Sequence, residues 1–288
     1  MAWPLVAILV GSLLSSATPV AAASLPDFME HWEFGLNVEE DDGPDYSSDL
    51  IFPLYRRPGN DGVAFVEPRM RYADGEWLFN TGWGWRQLTP DKAWLLGANM
   101  FHDYETQYSH YRLGWGLEAL SPHAEFRSNY YLGLSQERLV EEDGPTQRFE
   151  QAVDGFDFEM GAPVPYYSRL KLFGGFNTWN YKNFKNRYGW VLRSEYTPWP
   201  FLVVDGRLDN DTKGNLDWGM TVAFRFPFGG NAVEAGESWR RPLQLDATIF
   251  PEGDASQFLF SLVERHHDIV VEQRTETAGV SIEIARGT

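Results

Sequence analysis

Two places in the chain set potentially reactive side chains next to one another: His102-Asp103 and His266-His267-Asp268. A histidine beside a carboxylate is the pairing that activates a serine nucleophile, and grouped histidines and carboxylates can ligate a metal ion. Neither place completes such a site. No serine with a recognisable nucleophile context accompanies His102-Asp103, so the pair reads as a strand-end contact among tyrosines. On an extended segment, His266 and His267 point to opposite sides, and Asp268 alone is a poor third ligand. The 288 residues include no cysteine, which excludes thiolate nucleophiles, thiolate metal sites and disulfides. No G-x-S-x-G, H-E-x-x-H or phosphate-binding loop occurs. The residues therefore point to no enzyme, no cofactor and no metal.

A second set of charged residues is ordered by period. Arg69, Arg71, Arg86, Arg112, Glu118, Arg127, Asp157, Glu159, Lys171, Arg193, Glu195, Asp205, Arg207 and Arg225 fall on the small or polar side of segments whose alternate residues are large and apolar. The stretch Leu216–Phe228 shows the pattern most cleanly. Leu216, Trp218, Met220, Val222, Phe224 and Phe226 share one face; Asp217, Gly219, Thr221, Ala223 and Arg225 share the other. A period of two is that of a β-strand with two different faces. If the apolar face meets lipid, the charges must line a wet or plugged interior, because a charge faces hydrocarbon only at high cost. A structural salt-bridge lattice and a selectivity-determining ring are the two roles open to them.

The elements that carry these residues recur along the chain. Alternation returns at residues 32–38, 50–54, 64–72, 77–85, 94–100, 111–119, 126–134, 156–164, 170–178, 188–196, 202–208 and 216–228, an even count of twelve as bacterial barrels require. The segment from Leu170 is the least regular, since Phe173 and Trp179 sit on its nominal polar side. Every second connector is short and carries proline (RRPGNDG, LTPDKA, SPH, PVPYYS, TPWP), which suits turns and not ladders. The intervening ones, such as QERLVEEDGPTQRFEQ, NYKNFKNR and DNDTKGN, are polar and mostly longer. Short turns at one end and long polar loops at the other predict an all-β, twelve-stranded antiparallel outer-membrane barrel rather than a soluble sandwich.

Composition agrees. Aromatic residues make up 16% of the chain, enough for girdles at both interfaces. Mean hydropathy is −0.39, and past the N-terminus no apolar run approaches the ~20 residues of a membrane helix. A net charge of −17 argues against nucleic acid or anionic lipid as a partner. At the N-terminus, Trp3–Leu14 is apolar and Ala21-Ala22-Ala23 offers a cleavage pattern, so residues 1–23 read as a secretory signal and 24–31 as a short periplasmic start. Residues 32–228 form the barrel. Residues 229–288 follow it, with Phe258, Leu259, Leu262 and Val263 at helical spacing in Asp254–Arg265 and an extended reading for Asp268–Glu272.

In this last region LVERHHDIVVEQR (Leu262–Arg274) resembles the segment that follows the barrel in inverse autotransporters, the intimin and invasin family. FGLNVEED (Phe34–Asp41), DLIFPLYRR (Asp49–Arg57), WLLGANMFHDYE (Trp94–Glu105), YRLGWGLEALS (Tyr111–Ser121), FDFEMGAPVPYYSRLKLFG (Phe156–Gly174) and RSEYTPWP (Arg193–Pro200) are similar too, in the family's order. The resemblance implies a periplasmic N-terminus and a segment crossing the pore toward a surface adhesin. The pore linker would include Leu262, Val263, Glu264, Arg265, Asp268, Ile269, Val270 and Arg274, with Glu264, Arg265 and Arg274 paired to the charged lattice. Gly219, Val222 and Phe224 fit the assembly signal read by the barrel-insertion machinery. Implied partners are outer-membrane lipid, that machinery and the protein's own tail, with the surface receptor undefined. Only Thr275–Thr288 follows the signature here, so the sequence reads as a translocator with its passenger missing or vestigial. A stand-alone channel with a periplasmic C-terminal tail is the alternative.

Overall fold

The computed structural model describes residues 30–39, 43–73, 75–214, 216–227, 243–250, 252–277 and 280–283. The signal and cleavage pattern of residues 1–23 lie outside them. Going along the chain, β1 (His31–Glu39), β2 (Asp45–Arg56), β3 (Gly62–Ala73), β4 (Glu76–Leu88), β5 (Leu95–Glu105), β6 (Tyr111–Leu120) and β7 (Glu125–Gly133) form an up-and-down meander. A hairpin of β8 (Arg138–Asp143) and β9 (Thr146–Ala152) interrupts it. The meander resumes with β10 (Asp154–Val164), β11 (Tyr167–Asn180), β12 (Arg187–Trp199), β13 (Leu202–Asp211) and β14 (Asp217–Pro227). Beyond it lie β15 (Val271–Thr277) and β16 (Val280–Glu283).

The twelve meander strands close into a barrel in the order β1-β14-β13-β12-β11-β10-β7-β6-β5-β4-β3-β2. β1 and β14 complete the ring antiparallel, from His31↔Pro227 to Glu39↔Gly219. Closure removes the sheet edges that hydrocarbon could not satisfy. The five short proline-bearing connectors named above lie at the mouth where β1 begins and β14 ends, here the near mouth. The longer polar connectors lie at the far mouth.

The period-two reading holds on the outer face, where Trp83, Met100, Trp115, Leu117, Trp190, Leu192, Phe224 and Phe226 are exposed side by side. Aromatic pairs ring both mouths. Trp32 and Phe226 lie 5.1 Å apart at the near one, and Tyr72 and Trp77 lie 4.9 Å apart at the far one. Phe173 and Trp179 depart from the pattern because they point inward. Each lies over an inner-face glycine: a Cβ on Gly161 would come within 2.1 Å of the Phe173 ring, and one on Gly155 within 2.1 Å of the Trp179 ring. Large rings on the inner wall need that missing side chain opposite them.

Two expectations are corrected. Asp254–Arg265 is not a helix: Ala255–Phe258 makes one 3-10 turn, capped by Asp254 accepting from Ser256 N at 2.8 Å, a turn follows at Leu259 and Phe260, and residues 261–270 form neither helix nor strand. The connector QERLVEEDGPTQRFEQ is not an irregular loop either. It supplies β8 and β9, and β9 pairs with β15 to give a four-stranded sheet of order β16-β15-β9-β8.

Candidate functional site

The lumen is occupied by the protein's own C-terminal segment. Residues 243–250 pack at the near mouth, where Asp246 N donates to Tyr166 O (2.8 Å) and Tyr166 N donates to Ile249 O (2.9 Å). Ala255 N then donates to Lys92 O (2.9 Å) in the β4–β5 turn. From there the segment runs through the barrel to the far mouth, where Val153 N donates to Val270 O (3.1 Å) and β15 begins.

Its first part is an apolar stopper. Ala255, Phe258, Leu259, Phe260 and Val263 pack with Ile51, Val63, Phe65, Leu88, Leu95 and Leu120, which point inward from the near-mouth ends of β2 to β6. The helical spacing of Phe258, Leu259, Leu262 and Val263 misleads because these side chains pack against several wall strands, so their burial does not come from one face of a helix.

The second part shows where the segment's backbone hydrogen bonds go. Arg86 Nη1 donates to Leu259 O (3.2 Å) and Ser261 O (2.5 Å). Both oxygens of the fully buried Glu67 accept from Val263 N, at 3.2 and 3.1 Å. Arg112 donates to His266 O (2.8 Å), His267 O (2.8 Å) and Asp268 O (2.5 Å), Asn80 donates to His267 O (3.1 Å), and His266 N donates to Tyr131 Oη (2.8 Å). Buried amides must be paired. The wall pairs them with arginine, glutamate, asparagine and tyrosine side chains, so the segment needs no helix of its own.

Side chains tie the two together. Arg265 makes a bidentate pair with Asp103, 2.8 Å for each bond, with both groups buried. The same Asp103 accepts from Arg112 Nε (2.7 Å) and Asn80 Nδ2 (2.8 Å). Arg71 reaches Asp268, and Arg193 lies 3.8 Å from Glu264. Ile269 and Val270 are buried against the far-mouth ends of the wall strands, Val270 with Tyr131 and Trp179.

The lattice residues also bond to one another and to further carboxylates of the wall. Arg69 pairs with Asp49 (2.7 Å), Arg86 with Glu118 (2.5 Å), Arg225 with Glu33 (2.9 Å) and Arg207 with Asp209 (3.0 Å). Arg193 holds Glu159 (2.8 Å) and Asp205 (2.7 Å); Arg127 bonds Glu159 (3.2 Å) and Glu125; Lys171 bridges Glu125 (2.8 Å) and Glu195 (3.2 Å). Asp157 accepts from Tyr131 Oη (2.5 Å) and Asn129 (2.8 Å).

The segment therefore follows the β3–β7 wall. Beside it, along β10–β14, β1 and β2, a cavity of about 300 Å³ is lined by Glu33, Asp49, Arg193, Asp205, Arg207 and Arg225 among others.

Arg274 is the pore-linker residue that the structure puts elsewhere. It lies on β15 in the four-stranded sheet, bonded to Glu137 (2.9 Å) and Glu276 and stacked over Phe149. Of the assembly-signal residues, Gly219 faces the lumen, and Val222 and Phe224 lie on the outer face opposite Leu36 and Phe34. His102 and Asp103 are split by the strand: the His102 ring meets Tyr111 on the outside at 5.9 Å while Asp103 points in. His266 lies 5.1 Å from the Trp179 ring, and among the described residues no group of three potential metal ligands occurs.

Glu67, Asn80, Asp103 and Tyr131 are the wall residues that sequence reasoning passed over as contacts for the segment. The inward phase of their strands was the available signal. Glu272 was also missed; its carboxylate accepts from Lys182 N (3.0 Å), Asn183 N (2.8 Å) and Phe184 N (2.9 Å) in the β11–β12 connector.

A closed twelve-stranded barrel with an apolar outer belt and a charged, filled interior defines an integral outer-membrane β-barrel of a Gram-negative bacterium. Within that class the chain belongs to the family described as "Inverse autotransporter, beta-domain", whose model matches residues 6–238. It is 25% identical over 272 residues to the inverse autotransporter adhesin YeeJ of Escherichia coli (strain K12), covering 90% of this chain and 11% of that protein. It is 26% identical over 161 residues to a putative attaching and effacing protein homolog of the same strain, covering 53% of each. The chain thus spans only part of the length of both relatives. A solved structure from work on in-meso crystallization of membrane proteins superposes with a TM-score of 0.71 at 22% identity, over 85% of this chain and 99% of that one.

Proposed function

We propose that the barrel exports and anchors the polypeptide that follows its pore segment, with the near mouth in the periplasm and the far mouth at the cell surface. The observation that carries this reading is the course of residues 254–277: they start among near-mouth turns and end paired with a far-mouth hairpin. A periplasmic tail would leave the segment outside the lumen, where Arg86, Glu67 and Arg112 would lose the partners described above. The protein acts in this reading as a translocator and anchor, not an enzyme, and its surface role would follow the adhesin for which the relative is named. The barrel-insertion machinery is its proposed assembly partner, through β14.

An epitope fused after Thr288 tests the topology. We expect antibody labelling in intact cells. Labelling confined to permeabilised cells would overturn the reading.

A further inference from the structure

Residues 243–250 form a strap along the rim of the near mouth. At the β10–β11 turn, Asp246 N donates to Tyr166 O (2.8 Å), Tyr166 N donates to Ile249 O (2.9 Å), and the Asp246 carboxylate accepts from Ser168 N (2.6 Å). The Phe250 ring then meets His123 of the β6–β7 turn at 5.7 Å. Further on, Ala255 N donates to Lys92 O in the β4–β5 turn. These three turns are neighbours around the ring, since β10 adjoins β7 and β6 adjoins β5. The strap therefore follows the rim before the chain enters the lumen.

The strap gives its polar groups to the rim and leaves its apolar side chains uncovered. Leu243 is 79% exposed and Leu245 68%, with Ile249 at 50% and Phe250 at 37%. Meanwhile Asp246 N, the Asp246 carboxylate and Ile249 O bond to the rim, and Phe250 O accepts from Thr248 Oγ1 (2.7 Å). Four large apolar side chains exposed within eight residues make a concentrated patch, and such patches mark contact sites. A backbone whose polar groups are bonded to protein can enter an apolar surrounding at low cost.

The position of the strap indicates what covers it. Tyr166 and Ser168, which hold it, flank Tyr167, and Tyr167 pairs with Tyr196 of the outer aromatic belt at 6.1 Å. His123 lies in the turn just before Phe126, which pairs with Trp94 at 6.0 Å. Aromatic belts mark the membrane–water boundary, so the patch is continuous with the lipid-facing wall. Four side chains fall short of the ~800 Å² that a stable protein interface buries on each partner, whereas a fluid acyl surface needs no such area. We propose that residues 243–250 are an interfacial lipid anchor, with Leu243, Leu245, Ile249 and Phe250 inserted at the headgroup–acyl boundary of the leaflet around the near mouth. The anchor holds the rim end of the pore segment, and it does so whichever mouth faces the cell surface.

The chain has no cysteine, so single introduced cysteines can report each position. L245C and I249C are labelled with the environment-sensitive fluorophore NBD in the full-length protein, folded into phosphatidylcholine vesicles. L117C on the outer belt serves as the lipid reference, and L139C on the exposed far-mouth hairpin as the water reference. Only preparations that show the compact, heat-modifiable band are compared. We expect L245C and I249C to emit at shorter wavelength than L139C, close to L117C. Lipid brominated on its acyl chains should quench them severalfold more strongly than it quenches L139C. Water-like emission, with quenching no stronger than in L139C, would overturn the proposal. So would a blue-shifted emission that bromine leaves unquenched, because a second copy or another part of the chain would then cover the patch. Adding anionic lipid should change neither readout, and a requirement for it would overturn the apolar account.

Discussion

Asp103 divides its two oxygens among Arg265, Arg112 and Asn80 in a site closed to solvent. A buried carboxylate of this kind contributes little net stability while its partners are in place, but removing one leaves an uncompensated charge. Arg265→Ala should therefore destabilise the folded barrel by about 3–5 kcal/mol in denaturant unfolding. Arg265→Ala combined with Asp103→Asn should cost less than Arg265→Ala alone, because the orphaned charge is gone. Equal losses for the single and double variants would count against this account. The adjacent His102 shows how little sequence neighbourhood says about shared function in a strand. One step along the backbone moves a side chain from the lumen to the lipid-facing wall.

Among elements, the stopper and the charged segment divide the occupation of the lumen. Phe258, Leu259 and Phe260 close the near mouth by packing, whereas Glu264 to Asp268 lie beside a cavity that extends along β10–β14. Deleting Asp254–Arg274 should raise single-channel conductance in planar bilayers. Phe258→Ala with Phe260→Ala should raise it more than Arg193→Gln does. If Arg193→Gln opens the pore more than the alanine pair, the seal lies in the lattice and not in the stopper. Strand phase and the sorting of connectors were legible because the outer face meets lipid and the inner face does not. The pore segment was misread as a helix because its partners are side chains of several other strands, which local spacing cannot register. The β8–β9 hairpin was missed for a related reason. Its residues Arg138 to Asp143 are nearly all exposed, so no apolar alternation marks them as a strand.

For the whole molecule, the ring closes without help from what fills it. β1 and β14 pair over nine residues each, and the cross-strand pairs between neighbouring barrel strands involve no residue past Pro227. A protein truncated after Gly253 should still fold to a heat-modifiable barrel in detergent, although less stable because Glu67, Arg86, Arg112 and Asp103 lose partners. Failure of the truncated protein to give a compact band at any temperature would mean that the segment is needed to build the ring. The luminal charges were legible as a set from their inward phase, but their pairings were not. Arg193 meets residues from β10 and β13, and which rotamer reaches which carboxylate is decided by curvature and stagger around the ring.

The pairing of β15 with β9 carries a mechanical meaning. β9 is rooted in the wall through β10, and its partner runs antiparallel from Val271↔Ala152 at the base to Thr277↔Thr146 at the tip. A pull applied beyond Glu283 would first peel β16 from β15, breaking its four register pairs in turn. It would then reach Thr277 and drag β15 lengthwise along β9. In that geometry all seven register pairs resist together rather than one after another. The far-mouth sheet would thus give way in two stages under tension, a short extension that absorbs a tug and then a clamp that shields the pore segment from it.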